Sequence, residues 1–194
     1  MNFYQILMLL LISMFYLTYI TKQILLKRRG IDGTRLAKGN KPGRTFLIEV
    51  FLLVGTYGMA AVQYISILME AKLGLLFPQD VIRMIGVAAA FFGVCFFVSA
   101  VMVMKDSWRA GVEEGQSTRI VTAGVYRISR NPAFVGFDLI YLGTALSFSN
   151  FAAIFGAMFL IVLFHLQILE EEKLLPGNFG QEYLDYCKRT RRYL

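Results

Sequence analysis

Two apolar runs near the C-terminus are joined by only three residues. The first run reads AFVGFDLIYLGTALS (residues 133–147), the connection reads FSN (148–150), and the second run reads FAAIFGAMFLIVLFHLQIL (151–169). A connection this short suits an antiparallel helical hairpin, and about 20 apolar residues suffice for a helix to span a bilayer. The sequence therefore predicts a hairpin that crosses a membrane twice. The first arm is marginal in length for a membrane span. The helix could be tilted, could start earlier in the sequence, or could be partly covered by the rest of the protein.

Three further apolar runs precede this hairpin, at residues 3–26, 45–69 and 81–104, and each is long enough to span. The first run is too long for the core of a signal peptide and has no basic residue before it, so we expect a retained helix. The third run carries small residues, including Gly86 and Gly93, that suit close helix contact. The expected fold is an all-α polytopic membrane protein with about five transmembrane helices. We expect one domain, with three N-terminal spans in residues 1–104 and a loop, hairpin and tail in residues 105–194.

The composition excludes several classes of protein. Hydrophobic residues make up 57% of the 194 residues and charged residues only 17%, against about 25% charged residues in an ordinary globular protein. This excludes a soluble enzyme and a disordered chain. A nucleic-acid binder is excluded because the net charge of +7 lies between apolar runs rather than on a wetted polar face. We therefore expect no nucleic acid as a partner. Cys95 and Cys187 form no paired metal motif, so we also expect no metal.

The positions of the Lys and Arg residues predict the orientation, since short cytoplasmic loops carry the excess of positive charge. Of the 20 Lys and Arg residues, 18 fall in residues 22–44, in residues 105–130 or after residue 169. Only Lys72 and Arg83 fall on the other side. We therefore expect the N-terminus outside and the C-terminus in the cytoplasm.

The first polar segment on the cytoplasmic side covers residues 105–136. It breaks the apolar pattern with glycines and arginines and re-enters the membrane after Asn131-Pro132, where proline at the first turn is an ordinary helix start. The simplest interpretation is a loop and a helix start. A functional interpretation gains weight because Tyr126, Arg127 and Arg130 crowd the interface.

The second polar segment covers residues 165–194. His165, the only histidine, lies in the last turn of the fifth span, and three glutamates follow at residues 170–172. Ionisable residues at membrane depth are costly and usually mark a function or a pairing. His165 capping a helix end, and glutamates that are solvated or form an ion-pair network, remain the alternatives.

These two segments together resemble a known family. TRIVTAGVYRISRNPAFVG (118–136) is followed by EExxL (171–175) and FGxEYxxY (179–186), which is similar to the isoprenylcysteine carboxyl methyltransferase family and its prokaryotic relatives. The resemblance covers roughly residues 107–192, and the first three helices resemble the family only in hydropathy. The chain resembles the phospholipid N-methyltransferases more loosely, through the hairpin and the acidic tail motif.

The resemblance implies a membrane methyltransferase with S-adenosyl-L-methionine in a cytoplasmic cofactor pocket and S-adenosyl-L-homocysteine as product. It also implies a lipophilic acceptor that enters sideways from the bilayer. Gln167 and Glu171 match positions that meet the acceptor, with Gln167 in place of an arginine. The matching positions for the cofactor are Thr118, Arg119, Ile120, Val121, Tyr126, Asn131, Pro132, Ala133 and Phe134.

The chemistry of the cofactor agrees with this assignment. Its purine, amino-acid end and sulfonium need aromatic walls, a cation for the carboxylate and anions for the ammonium. Tyr126 and Phe134 are candidates for the walls, and Arg130 or Arg119 for the cation. The glutamates are candidates for the anions, and His165 for a bond to the adenine edge or the ribose.

The leading hypothesis is carboxyl methylation of a prenylated cysteine or an analogue. A carboxylate is already a nucleophile at neutral pH, so this reaction needs in-line placement and exclusion of water rather than a general base. An amine acceptor, as in phosphatidylethanolamine N-methylation, must lose a proton, and Glu171 or His165 is then the candidate base. Arg130 and Glu171 are the predicted catalytic residues.

Two other functions are less favoured. An NADPH-dependent sterol-type reductase is not excluded by the lack of a GxGxxG motif, because such reductases lack one too. A channel, transporter subunit or scaffold would place charges at mid-bilayer, whereas the charges here cluster at one interface. We expect the protein among the lipids of a prokaryotic cell membrane or of a eukaryotic endoplasmic reticulum.

Overall fold

Six α-helices occupy the described part of the computed structural model, which comprises residues 1–39, 41–109, 111 and 120–194. No strand lies in these ranges, and an isolated bridge pairs Ser129 with Arg191. The predicted all-α class is confirmed. The helices are α1 (Phe3–Arg28), α2 (Gly43–Leu68), α3 (Glu70–Leu73), α4 (Asp80–Met104), α5 (Pro132–Ser147) and α6 (Phe151–Arg189), with short 3-10 helices at Lys105–Ser107 and Gly124–Arg127.

Four of these helices, α1, α2, α4 and α6, are long and apolar enough to cross a membrane. α5 has 16 residues, so it is about 24 Å long and shorter than the roughly 30 Å hydrocarbon core. Nine of its residues are buried, so the rest of the protein covers much of it. The polytopic membrane class is therefore confirmed, with four helices of spanning length and α5 as a shorter apolar fifth.

The α5–α6 hairpin turns tightly at residues 148–150. The side chain of Asn150 accepts a hydrogen bond from the Ala153 backbone N–H at 3.0 Å, which caps the start of α6. The Leu76 N–H donates to the Ser149 carbonyl at 2.7 Å and joins the turn to the segment before α4. We call this end of the bundle the opposite end, and the end where α1 and α4 finish the basic end.

Glycines bring α4 and α5 into close contact along their length. A Cβ on Gly143 would lie 2.5 Å from the Gly86 carbonyl oxygen, and one on Gly136 would lie 2.9 Å from the Gly93 carbonyl oxygen. Neither approach leaves room for a side chain, so the two backbones meet directly, as small residues permit in membranes. The close contact expected from Gly86 and Gly93 is thus made with α5.

Aromatic side chains fill the core between α1, α4, α5 and α6. The Phe15 ring lies 4.4 Å from Phe97 and 4.8 Å from Phe137, measured between centroids, and Phe137 lies 5.1 Å from Phe164. Phe15 and Phe97 are fully buried. This cluster forms the floor of the region that carries the candidate site at the basic end.

Candidate active site

The loop before α5 is joined to the C-terminal part of the chain by hydrogen bonds to backbone carbonyls. The Arg130 N–H donates to the Arg191 carbonyl at 2.9 Å, and the Asn131 side chain donates to the Arg192 carbonyl at 3.2 Å. The Tyr186 hydroxyl donates to the Tyr126 carbonyl at 2.6 Å. The two polar segments separated by the hairpin in sequence therefore form one structure at the basic end.

Local sequence explains how each segment reaches this position. Gly124, with φ +59°, adopts a left-handed conformation that suits glycine, and a Cβ there would lie 2.8 Å from Val103. Pro132 occupies the first turn of α5, as the sequence predicts. Gly180, with φ +55° and ψ −134°, interrupts the helical backbone inside α6. The part of α6 after this kink carries Tyr186 to the loop.

A carboxylate between two arginines lies at the centre of this junction. Arg130 Nη2 lies 2.9 Å from Glu172 Oε1, and Arg192 Nη2 lies 2.8 Å from Glu172 Oε2. The Arg130 and Glu172 side chains are each only 12% exposed, so water screens this pair little. The Glu172 carboxylate raises the pKa of Arg192. The cluster carries one net positive charge beside the start of α5.

A cavity of about 650 Å³ extends from this cluster between the helices, a volume typical of small-molecule sites. The predicted catalytic and acceptor residues Arg130, Gln167 and Glu171 all border it. Burial raises the pKa of the Tyr126 hydroxyl, so this group is neutral at physiological pH. The predicted cofactor residues that border the cavity are Ile120, Val121, Tyr126, Asn131, Pro132, Ala133 and Phe134.

Three predicted cofactor residues are not among the described residues that border the cavity. Thr118 and Arg119 fall outside the described residues. His165 is exposed, and its Nδ1 forms a hydrogen bond with the Tyr193 hydroxyl. Among the described residues that border the cavity, His165 is not present, so its contact with a cofactor stays a prediction.

Gln167 lies within a buried polar network on one wall of the cavity. Its Nε2 donates to Glu171 Oε1 at 3.0 Å and to Glu49 Oε1 at 3.4 Å. Lys41 Nζ lies 2.7 Å from the same Glu49 oxygen, and the Ala37 N–H donates to Glu49 Oε2 at 2.8 Å. The network ties the loop before α2 to both α2 and α6.

The cavity reaches the lipid-facing surface between α1 and α2. Ile20, Ile24 and Tyr57 border it and are 51%, 48% and 70% exposed. In a bilayer, side chains on this surface face acyl chains. An elongated ligand can therefore extend from the polar cluster at the basic end to the hydrocarbon region.

Sequence reasoning missed several residues that border the cavity. Tyr183 and Tyr186 fall within the FGxEYxxY motif. Residues three apart on a helix lie on one face, so the spacing in this motif could have predicted that both tyrosines border the same cavity. The tyrosines of α1 and α2 lie in runs that are apolar throughout, and no local pattern separated them from residues that face lipid. The missed residues include Tyr16, Tyr57, Trp108, Tyr183 and Tyr186.

Fold and site together define an all-α integral membrane protein whose cavity joins a polar cluster of arginines and a carboxylate to a lipid-facing opening. Comparison with known families matches residues 81–182, more than half of the chain, to the family described as phospholipid methyltransferase. The chain belongs to this family.

The curated relatives include several proteins that carry one name. Protein-S-isoprenylcysteine O-methyltransferase of Mus musculus is 32% identical over 110 residues, which cover 54% of this chain and 38% of the relative. Protein-S-isoprenylcysteine O-methyltransferase B of Arabidopsis thaliana is 36% identical over 73 residues, 37% of either chain. The Schizosaccharomyces pombe enzyme is 37% identical over 74 residues, 37% of this chain and 30% of the relative. The chain thus matches less than two-fifths of the length of these relatives.

Proposed function

We propose that the protein is an S-adenosyl-L-methionine-dependent methyltransferase that acts on a lipophilic acceptor, with carboxyl methylation of a prenylated cysteine or an analogue as its reaction. The observation that carries this proposal is the cavity, which connects the residues around Asn131-Pro132 to the bilayer-facing gap between α1 and α2. Membership of the phospholipid methyltransferase family and the names of the curated relatives support it.

The residues at the basic end fit the proposed cofactor. Tyr126 and Phe134 offer aromatic walls, and Arg130 offers a cation. Ile120 and Val121 lie in irregular backbone, so their N–H and C=O groups are not committed to a helix and suit a purine edge or a ribose. When bound, S-adenosyl-L-methionine supplies an electrophilic methyl group and leaves as S-adenosyl-L-homocysteine.

The protein's contribution to carboxyl methylation is placement and exclusion of water. The aromatic walls around Phe15, Phe137 and Phe164 keep the acceptor dry, and a desolvated carboxylate is a stronger nucleophile. The lipid-facing gap holds the acceptor's apolar tail and fixes the approach of its head. No proton is transferred in ester formation, so no side chain has to act as a base.

A second candidate reaction, N-methylation of an amine-bearing phospholipid, is favoured by one observation. The wall that carries Gln167 presents a carboxylate, Glu171, which accepts a hydrogen bond from Gln167 Nε2 at 3.0 Å. A carboxylate suits an ammonium, and Glu171 is placed to accept the proton that an amine must lose. Identification of the methyl acceptor therefore distinguishes carboxyl methylation from N-methylation.

The test uses full-length protein purified in detergent. Calorimetry with S-adenosyl-L-homocysteine should show binding, and failure to bind overturns the proposal. Methyl transfer is then measured with N-acetyl-S-farnesylcysteine and with phosphatidylethanolamine. Label in the first acceptor supports carboxyl methylation, and label only in the second replaces it with N-methylation. Binding of NADPH instead of S-adenosyl-L-homocysteine would indicate the reductase class.

We also propose that the basic end faces the cytoplasm of a cell membrane or, in a eukaryote, of the endoplasmic reticulum. The distribution of Lys and Arg supports this orientation. In right-side-out vesicles, a protease should leave a C-terminal tag intact and should cleave it in inside-out vesicles. The reverse pattern would invert the topology.

A further inference from the structure

A second pocket, of about 340 Å³, lies at the basic end beside the main cavity. Arg44 at the start of α2, Lys173 on α6 and Arg192 in the tail border it. Leu166 and Leu169, at the end of the apolar run of α6, border it as well. The pocket therefore lies where α6 passes from apolar to charged residues, which is the level of the lipid headgroups. We call it the interfacial pocket.

The carboxylate of Glu170 in this pocket is already engaged. Lys173 Nζ lies 2.7 Å from its Oε1, and the Thr45 hydroxyl donates to its Oε2 at 3.0 Å. Arg44 is close enough to Glu170 to interact with it electrostatically, but Arg44 forms no hydrogen bond or ion pair with another described residue. The Arg44 guanidinium is therefore available to a ligand.

Glu172 is a wall shared by the interfacial pocket and the main cavity, since it borders both. Arg130 holds its Oε1 from the cavity side, whereas Arg192 donates to its Oε2 through Nε and Nη2. A guanidinium has five N–H donors, so Arg192 keeps donors for a ligand. Four basic side chains surround the two glutamates, those of Arg44, Arg130, Lys173 and Arg192. The resulting excess of two positive charges favours an anion.

An apolar strip extends from the interfacial pocket along α6 toward the middle of the bilayer. Phe155, Phe159 and Val162 are exposed, and together with Leu166 and Leu169 they recur every three or four residues. Residues at this spacing share one face of a helix. A molecule with an anionic head in the pocket and an acyl chain on this strip has the shape of a phospholipid in the leaflet at the basic end.

We propose that the interfacial pocket binds the phosphate headgroup of an anionic phospholipid from this leaflet. The phosphate oxygens accept hydrogen bonds from Arg44 and Arg192, because a guanidinium can donate to two phosphate oxygens at once. Both oxygens of each glutamate are engaged, so these carboxylates offer little to the ammonium of a zwitterionic headgroup.

The bound headgroup joins elements that are distant in sequence. Arg44 belongs to α2, and Arg192 belongs to the tail. The Arg192 carbonyl also accepts a hydrogen bond from the Asn131 side chain, so a headgroup that holds Arg192 stabilises the junction between the tail and the loop before α5. This site lies beside the main cavity and does not depend on the identity of the methyl acceptor.

The test measures lipid binding to the full-length protein in a neutral detergent by native mass spectrometry. Phosphatidylglycerol, which carries a phosphate and no ammonium, should bind about tenfold more tightly than phosphatidylcholine. Arg44→Ala should weaken the binding of phosphatidylglycerol about tenfold, through loss of a charged hydrogen bond. Arg28→Ala is the matched control, because Arg28 is an exposed arginine at the same end, on α1, and does not border the pocket. It should change the affinity by less than about twofold.

The melting temperature gives a second readout, since a ligand that binds only the folded protein raises it. Phosphatidylglycerol should raise the melting temperature of the wild type and of Arg28→Ala more than that of Arg44→Ala. Without lipid, Arg44→Ala and the wild type should melt together, because Arg44 has no described partner to lose.

Inorganic phosphate supplies the anion without acyl chains and should give a smaller rise in melting temperature than phosphatidylglycerol at the same concentration. An equal rise would assign the pocket to a soluble anion and overturn the lipid site. Equal binding of phosphatidylglycerol by Arg44→Ala and the wild type, or equal affinities for phosphatidylglycerol and phosphatidylcholine, would also overturn the inference. Each of these results is independent of methyl transfer, so the proposed function and this site can fail separately.

Discussion

Arg130, in the loop before α5, and Glu172, on α6, form a largely buried ion pair of 2.9 Å across 42 residues of sequence. Arg130 also donates to the Thr190 carbonyl at 2.9 Å. One side chain thus joins the loop, the long helix and the tail at the point where the proposed cofactor binds.

Arg130→Ala should abolish methyl transfer, because it removes the cation of the cofactor site and a junction between both polar segments. The affinity for S-adenosyl-L-homocysteine should fall roughly 10- to 100-fold, as expected for loss of a charged hydrogen bond. Calorimetry measures this loss. Lys173→Ala removes an ion pair in which the lysine is 62% exposed and should have little effect. Normal activity of Arg130→Ala would mean that the site lies elsewhere.

Glu171→Ala should also abolish methyl transfer while leaving expression intact. The change removes the carboxylate that holds the Gln167 amide and leaves a gap in the cavity wall that carries Gln167. Glu171→Gln is more informative. It keeps a hydrogen-bonding side chain of the same size, so transfer to a carboxylate acceptor should stay within about tenfold, whereas transfer to an amine should fall about 10²- to 10⁴-fold through loss of the base. Initial rates with both acceptors give the answer. Equal losses for both acceptors would contradict the assignment of Glu171 as a base for amines alone.

Gly143→Ala should destabilise the fold, since a Cβ there lies 2.5 Å from the Gly86 carbonyl oxygen and 2.7 Å from the Ala90 nitrogen. These are backbone atoms, so α4 and α5 must separate. Overpacking of this kind costs about 1–3 kcal/mol, and the melting temperature in detergent should fall. Gly58→Ala, where nothing lies within 4 Å of the new Cβ, should leave it unchanged or slightly raised. Equal melting temperatures for the two variants would argue against the close contact of α4 and α5.

Ala60→Phe should narrow the lipid-side part of the cavity, which Ala60 borders on α2. The KM for a farnesylated acceptor should rise more than the KM for a geranylated one, because the longer chain needs more of the gap. Binding of S-adenosyl-L-homocysteine should not change. Ala61→Phe places the same bulk on an exposed position of the same helix and should affect neither acceptor. If chain length makes no difference in Ala60→Phe, the acceptor enters by another route.

The parts of the fold that could be predicted from the sequence are those determined by a short, continuous stretch of residues. The α5–α6 hairpin follows from two apolar runs and a three-residue connection, and the start of α5 follows from Asn131-Pro132. The resemblance singled out Gln167 and Glu171, and the structure shows that both border the cavity, although their role there stays a prediction.

The missed parts depend on contacts between distant segments. Glu49 reads as a charge near the end of an apolar run, and only the fold shows that Lys41 and Gln167 surround it. Trp108 reads as one aromatic residue in a polar loop until Phe97 fixes its ring. These contacts join residues of different segments, so no pattern within a single segment of the sequence could predict them.

The segment matched to the family begins at residue 81, in α4, yet Tyr16, Tyr57 and Tyr64 line the cavity from α1 and α2. The two walls of the cavity therefore belong to different parts of the chain, one inside the matched segment and one outside it. Chimeras that exchange residues 1–69 between family members should transfer the preference for an acyl or prenyl tail, while the methyl donor stays the same.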